Sequence, residues 1–179
     1  MRCFNLQRIE GLTLAELVVS LAVAAVLAAL AAPGFAALRH SATLTATGDQ
    51  LLGALYFAQA SAAHTGIPAV VCLLPGPSLQ CGRLPGAPAA GWLSFLENVP
   101  RAPADFTGGD TRLGQARLDS GVILRGTRPA VTFWPAARAG TTTTFTLCDA
   151  RDRSSGLAVI VSETGRPRVA AINGAACAP

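Results

Sequence analysis

The sequence predicts an α+β fold: one long N-terminal α-helix, its outer half packed on antiparallel β-sheets. Three observations carry that reading. An apolar run from Leu17 to Ala32 is continued by a helical apolar stripe, seven short β-branched or apolar runs follow from Ala69 onward, and glycine, proline and aspartate punctuate those runs.

The helix comes first. Leu12 to Leu38 reads as one continuous segment, long enough to cross a bilayer, for which about 20 apolar residues suffice. Pro33-Gly34 lies inside it, where the missing N–H permits a kink or local melting. Beyond residue 38, Leu38, Leu44, Leu51, Leu52, Leu55 and Tyr56 recur at helical spacing, giving a stripe suited to a sheet, and Gly66-Ile67-Pro68 ends the helix. The expected strands are 69–74, 92–97, 122–125, 131–134, 143–148, 157–162 and 168–172. The Pro/Gly-rich segments 75–91 and 100–114 read as exposed loops with little to offer a core, whereas Trp92, Phe95, Phe133 and Phe145 are expected inside it. About 115 residues remain after the leader and the helix, enough for one small domain.

Glu16 needs a separate explanation, because it is the one ionisable side chain at the head of the apolar run. A carboxylate at the depth of lipid tails costs roughly 2 to 3 kcal/mol or more, so a chain that keeps one there has a partner for it. A cleavable export signal has no such need, and a simple anchor leaves the residue unexplained.

Gly11-Leu12-Thr13-Leu14-Ala15-Glu16 followed by that apolar run resembles the class III signal of type IV pilins and type II secretion pseudopilins, with leucine in the usual phenylalanine position. The resemblance implies a leader over residues 1–11, cleavage by prepilin peptidase between Gly11 and Leu12, and methylation of the new amino terminus. It further implies a membrane helix over 12–38, a periplasmic continuation over 39–66 and a β-rich pilin domain over 67–179. Glu16 would then pair with the Leu12 amine of a neighbouring subunit, offsetting its desolvation and fixing axial register.

Of five cysteines, Cys3 falls in the leader, which leaves Cys72, Cys81, Cys148 and Cys177 for an oxidising periplasm. Three pairings are open, and the expected one joins Cys72 to Cys81 and Cys148 to Cys177. Zinc is disfavoured, since Cys-x8-Cys is the wrong spacing for a knuckle and neither His40 nor His64 lies near in sequence. No phosphate loop, nucleophile elbow or zinc-protease helix occurs, so neither an enzyme nor a cofactor is expected.

The order Cys72, Cys81, Gly91-Trp92-Leu93-Ser94-Phe95, Val131-Thr132-Phe133, Phe145-Thr146-Leu147-Cys148, then Gly165-Arg166-Pro167-Arg168, resembles the GspH/FimT branch of the pilin superfamily over the whole chain. Such a protein is expected in the inner membrane before assembly, then in the periplasm and the type IV pilus, with other major and minor pilins as partners.

All 14 basic residues are arginine, and from Arg112 to Pro179 nine arginines face four acids, a balance of 9 − 4 = +5. Ser162 to Arg166 reads as a hairpin turn in which Gly165 can take positive φ, and Arg166 and Arg168 then alternate onto one face of an edge strand. Two exposed guanidinium groups suit phosphate oxygens. Gly165-Arg166-x-Arg168 resembles the DNA-binding motif of the FimT type, which implies contact of Arg166 and Arg168 with the backbone of duplex DNA, Arg151 and Arg153 of the preceding loop assisting. The expected function is therefore capture of extracellular DNA for natural transformation, without sequence specificity. The alternative is a structural or priming minor pilin, or a type II secretion pseudopilin of the GspH/FimU kind, with no nucleic-acid role.

Overall fold

The computed structural model describes residues 13–83, 85–99, 101, 104–135, 141–151 and 154–177; the side chains of residues 31–33, 35–38, 40 and 155 lie outside that description. Two units are described, residues 1–39 and 40–179.

Helix α1 spans Leu14–Thr65. It starts where the Thr13 carbonyl accepts from Leu17 N–H and the Thr13 hydroxyl accepts from Glu16 N–H at 3.3 Å, the donor-capping role of an N-cap threonine. The helical assignment continues through Pro33 and Gly34 without interruption. It stops at Gly66, whose φ of 72° reverses the chain at a position that L side chains resist. In the first unit, Leu14, Leu17, Val18, Leu21, Val23, Val26, Leu27 and Leu30 are all about half exposed or more. Among the described residues no helix is long and apolar enough to cross a membrane. Of the expected span, residue 12 and the side chains of 31–33 and 35–38 lie outside the described residues, so the described apolar run ends at Leu30.

Among the described residues the second unit holds eight strands in two four-stranded antiparallel sheets. Strands β1 (Ala69–Leu74), β2 (Gly91–Leu96), β3 (Thr111–Arg117) and β5 (Ala130–Phe133) form the first sheet in the order β3-β2-β1-β5. The second has the order β4-β6-β7-β8, from β4 (Val122–Gly126), β6 (Thr143–Asp149), β7 (Ser155–Val161) and β8 (Pro167–Asn173). A short 3-10 helix, Gly174–Cys177, follows β8. The α+β architecture is the expected one.

Burial explains the arrangement. Leu44, Leu51, Leu55, Ala58 and Ala62 recur at intervals of seven, four, three and four residues, all on one helical face, and that stripe of α1 joins Val71, Leu73, Trp92, Phe133, Phe145, Leu147, Val159 and Val161 in one core. Tyr56 leaves the stripe and is about half exposed.

Two expectations need correction. The segment expected as loop to residue 114 runs into β3 at Thr111, a strand paired to β2 from Gly91↔Arg117 to Leu96↔Thr111 around a bulge at Ser94/Phe95. Nor are the Pro/Gly-rich segments idle. Leu79 and Cys81 from one, and Ala104 and Phe106 from the other, cover Val70, Cys72, Leu74, Leu93 and Phe95 on the far face of the first sheet. Phe106 meets Phe95 edge to face at 5.4 Å. Strands β1 and β2 are therefore buried on both faces, which is why they read as continuous apolar runs instead of alternating ones.

Both disulfides form in this fold. Cys72–Cys81 ties β1 to its covering loop across 9 residues, and Cys148–Cys177 ties β6 to the C-terminal 3-10 helix across 29.

Candidate functional site

Strands β7 and β8 meet in a tight hairpin. Ser162 N–H donates to Arg166 O, Gly165 N–H donates to Ser162 O, and Gly165 has φ 75°. That is a three-residue loop closed by a left-handed glycine, a standard way to join twisted antiparallel strands. The Ser162 hydroxyl accepts from Arg166 N–H and lies 2.9 Å from the Thr164 hydroxyl, so the backbone entering the Arg-x-Arg segment is bonded on both sides.

Pro167 is buried while Arg166 and Arg168 on either side are exposed. Its ring holds Arg166 extended, and its carbonyl accepts a 2.9 Å hydrogen bond from the Tyr56 hydroxyl, 111 residues away on α1. Strand β8 is an edge strand, where a proline leaves no ladder donor unpaired. Among the described residues no carboxylate lies within ion-pair distance of Arg166 or Arg168. Glu163, at the hairpin tip, is exposed.

Of the expected helpers, Arg151 is not at this end. Arg151 is exposed in the connection between β6 and β7, which enters β7 at Ser155, whereas the Arg166 turn leaves it at Val161. Seven residues of strand separate the two, roughly 20 Å at the usual rise. Arg151 sits instead beside Asp149, whose Oδ1 accepts its N–H at 2.8 Å. Arg153 lies outside the described residues, in the same connection. The antiparallel hairpin is the physical reason: successive connections of a meander lie at opposite ends of the sheet.

The ladder brings in a residue that sequence reasoning missed. Gly126 of β4 pairs with Phe145 of β6, and the chain then continues past Thr127, whose N–H donates to Thr144 O, to Arg128, whose N–H donates to the Thr143 hydroxyl at 3.2 Å. Thr143 pairs with Val161, and Val161 with Pro167. Arg128 thus lies on the same cross-sheet row as Pro167, three strands away, and is exposed. The acids of this sheet, Asp119 and Asp149, lie at the other end. Among the described acids of this sheet and its connections, Glu163 is the one at the end that carries Arg166 and Arg168.

Of the N-terminal candidates, Gly11 and Leu12 lie outside the described residues. Glu16 is exposed in the first turn of α1, its N–H bonded to Thr13 and its carbonyl accepting from the Ser20 hydroxyl at 2.7 Å. No group of metal-ligating side chains occurs among the described residues.

Two crystal structures of the type IV minor pilin FimU from Pseudomonas aeruginosa have a similar fold. One is 14% identical with a TM-score of 0.50, over 74% of this chain and 90% of that one; the other is 15% identical with a TM-score of 0.48, over 74% and 94%. At this identity the likeness is one of fold alone. No curated protein sequence matches. The family model described as type II transport protein GspH matches residues 47–165, which is 165 − 46 = 119 of 179 residues, and the chain belongs to that family.

Proposed function

We propose that this chain is a minor type IV pilin that binds duplex DNA through Arg166 and Arg168. As a GspH-family protein it is structural, not enzymatic, and its family implies assembly with other pilins. The observation that carries the DNA reading is the pair of exposed guanidinium groups flanking a buried, hydrogen-bonded proline, with no carboxylate at ion-pair distance among the described residues. Each can offer a phosphate two parallel N–H donors. Contacts of this kind read no sequence and weaken steeply with salt.

The N-terminal half fits the same role. Residues 12–38 anchor the chain in the inner membrane, prepilin peptidase cuts between Gly11 and Leu12, and Glu16 pairs with the amine of a neighbouring Leu12. The support is the Gly11-to-Glu16 pattern and the exposed apolar side chains from Leu14 to Leu30, a surface that needs lipid or other helices to cover it.

Titration of the full chain in nonionic detergent with labelled duplex DNA, at low and physiological salt, tests the function. Salt-sensitive binding that disappears in a folded Arg166→Gln/Arg168→Gln variant is the expected result. Binding that is absent, or indifferent to the double substitution, favours the second reading. That reading is a structural pilin or type II secretion pseudopilin without a nucleic-acid role, and the family description is the observation on its side.

A further inference from the structure

We infer that the free edge of β3 is a docking strand, which takes an extended segment of a partner protein whose side chains alternate between acidic and apolar. The inference goes beyond the DNA reading and does not depend on it.

The ladder decides which backbone groups of β3 face outward. Leu118 N–H donates to Ala90 O at 2.9 Å, and Gly91 is opposite Arg117, so Leu118 with Ala90, Ala116 with Trp92 and Gly114 with Ser94 are the hydrogen-bonded pairs. Gln115 and Arg117 alternate with them and turn their N–H and C=O away from β2. Among the described residues no backbone hydrogen bond reaches those outward groups. The other edges are engaged. Thr141 N–H donates to Thr132 O on β5, Ala89 and Gly86 N–H donate to Leu124 O and Gly126 O on β4, and the outward row of β8 begins with Pro167, which has no donor.

A groove of about 260 Å3 runs beside this edge, between Gln50, Ala54 and Phe57 of α1 and Leu113 and Ala116 of β3, with Trp92 also lining it. Phe57 is about half exposed. A strand added to β3 would send alternate side chains to this side, opposite Ala116 and Gly114, and Gly114 contributes no side chain of its own to fill the space. Main-chain bonds would then supply affinity and the groove would select apolar side chains.

The intervening side chains meet a basic surface. Arg112 and Arg117 are exposed and pair with Phe95 and Gly91, on the face away from α1 where Phe95 is covered by the loops. Arg117 Nη2 donates to Pro77 O of that covering at 2.8 Å. Among the described residues no carboxylate lies within ion-pair distance of either arginine, and Asp110, two residues before Arg112, is engaged with Arg101. Opposite-charge pairs across strands are favourable, so acids belong on this face of the incoming segment. A second copy of β3 is the wrong occupant: Thr111–Arg117 would bring two more arginines to the face and no acid.

The test titrates the full chain in nonionic detergent with a dye-labelled, end-blocked peptide, Glu-Val-Thr-Val-Glu, read by fluorescence anisotropy beside Lys-Val-Thr-Val-Lys. The glutamate peptide is expected to bind at least about tenfold more tightly. Gln115→Pro deletes an outward donor and leaves the bonds to β2 in place, so it should weaken binding about tenfold. Phe57→Ser, at an exposed position whose thermal melt should stay within about 2 °C of wild type, should weaken it about fivefold and keeps the test decisive where the proline variant does not fold. Arg112→Glu/Arg117→Glu should turn the preference toward the lysine peptide. No binding, equal binding of the two peptides, or affinity that both Gln115→Pro and Phe57→Ser leave unchanged overturns the proposal. Loss of peptide binding in Arg166→Gln/Arg168→Gln also overturns it, because the acids would then be held at the other sheet; wild-type affinity in that variant is the expected result.

Discussion

Replacing Cys148 and Cys177 together by alanine should lower the melting temperature of the second unit by about 12 °C while leaving DNA affinity unchanged. The bond closes a loop of sequence separation 29. Removing it restores denatured-chain entropy worth about 3.6 kcal/mol by the loop-closure relation. The unit comprises 179 − 39 = 140 residues, and an unfolding entropy near 2.1 cal/mol/K per residue makes each degree worth about 0.3 kcal/mol. Dividing one by the other gives the shift. The same relation gives about 2.6 kcal/mol for Cys72–Cys81, with its separation of 9. DNA binding should survive because the 3-10 helix follows Asn173, at the end of β8 away from Arg166. Trp92, buried in the core, gives a fluorescence signal for the melt. A shift under about 4 °C would sink the entropic argument, and a parallel loss of DNA binding would sink the claim that the two ends of the sheet act separately.

Other perturbations have clear expected outcomes. Tyr56→Phe removes one partly exposed hydrogen bond to Pro167, so stability should fall by about 1 kcal/mol, and amide exchange at Arg168 should speed up in hydrogen-exchange measurements. At Gly156 an added Cβ would stand 2.6 Å from Leu147 O and 2.7 Å from Cys177 Sγ. Gly156→Ala should therefore cost more than about 2 kcal/mol in denaturant titration. Glu97 is buried at the end of β2, and burial pushes its carboxyl above the usual carboxylate range. Asp110 acts in the same direction, while the hydrogen bond from Arg101 N–H and the Arg101 charge oppose. A folded pKa above the unfolded one means that the native state takes up a proton as pH falls, so this group costs stability at neutral pH and the cost fades toward the unfolded value, near 4.3. Glu97→Gln should therefore be the more stable form at pH 7, with the difference gone below about pH 4; a difference that grows on acidification has the wrong sign for this account.

The helix and most strands are legible because their burial is periodic. Leu44, Leu51 and Leu55 announce one face of α1, and Val70 to Leu74 announce a strand covered on both faces. Strand β3 is not legible. Thr111–Arg117 carries two arginines, a glycine and one large apolar residue, and as an edge strand it is held by its ladder to β2 more than by burial. The loop contribution to the second core cluster is hidden for a related reason: Leu79, Cys81, Ala104 and Phe106 are spaced by chain reversals and follow no period. The arginine site shows both sides. Gly165-Arg166-Pro167-Arg168 is readable as turn and strand, since glycine and proline restrict the backbone locally. Arg151 misleads because closeness in sequence across one strand is distance in space, and Arg128 escapes notice because only pairing through β6 and β7 puts it at the same end of the sheet as Arg166.

Strand β8 has one further consequence once many subunits are crowded into a filament. An edge strand is a template for another chain, and at millimolar local concentration two such edges meet constantly. Pro167 offers no N–H to an incoming strand, and its carbonyl is already occupied by Tyr56. Arg166 and Arg168 on one copy would face the same charges on the next. The features that present guanidinium groups to an anion therefore also keep neighbouring sheets from fusing, so neutralising both arginines should make the protein more prone to self-association even where no nucleic acid is present.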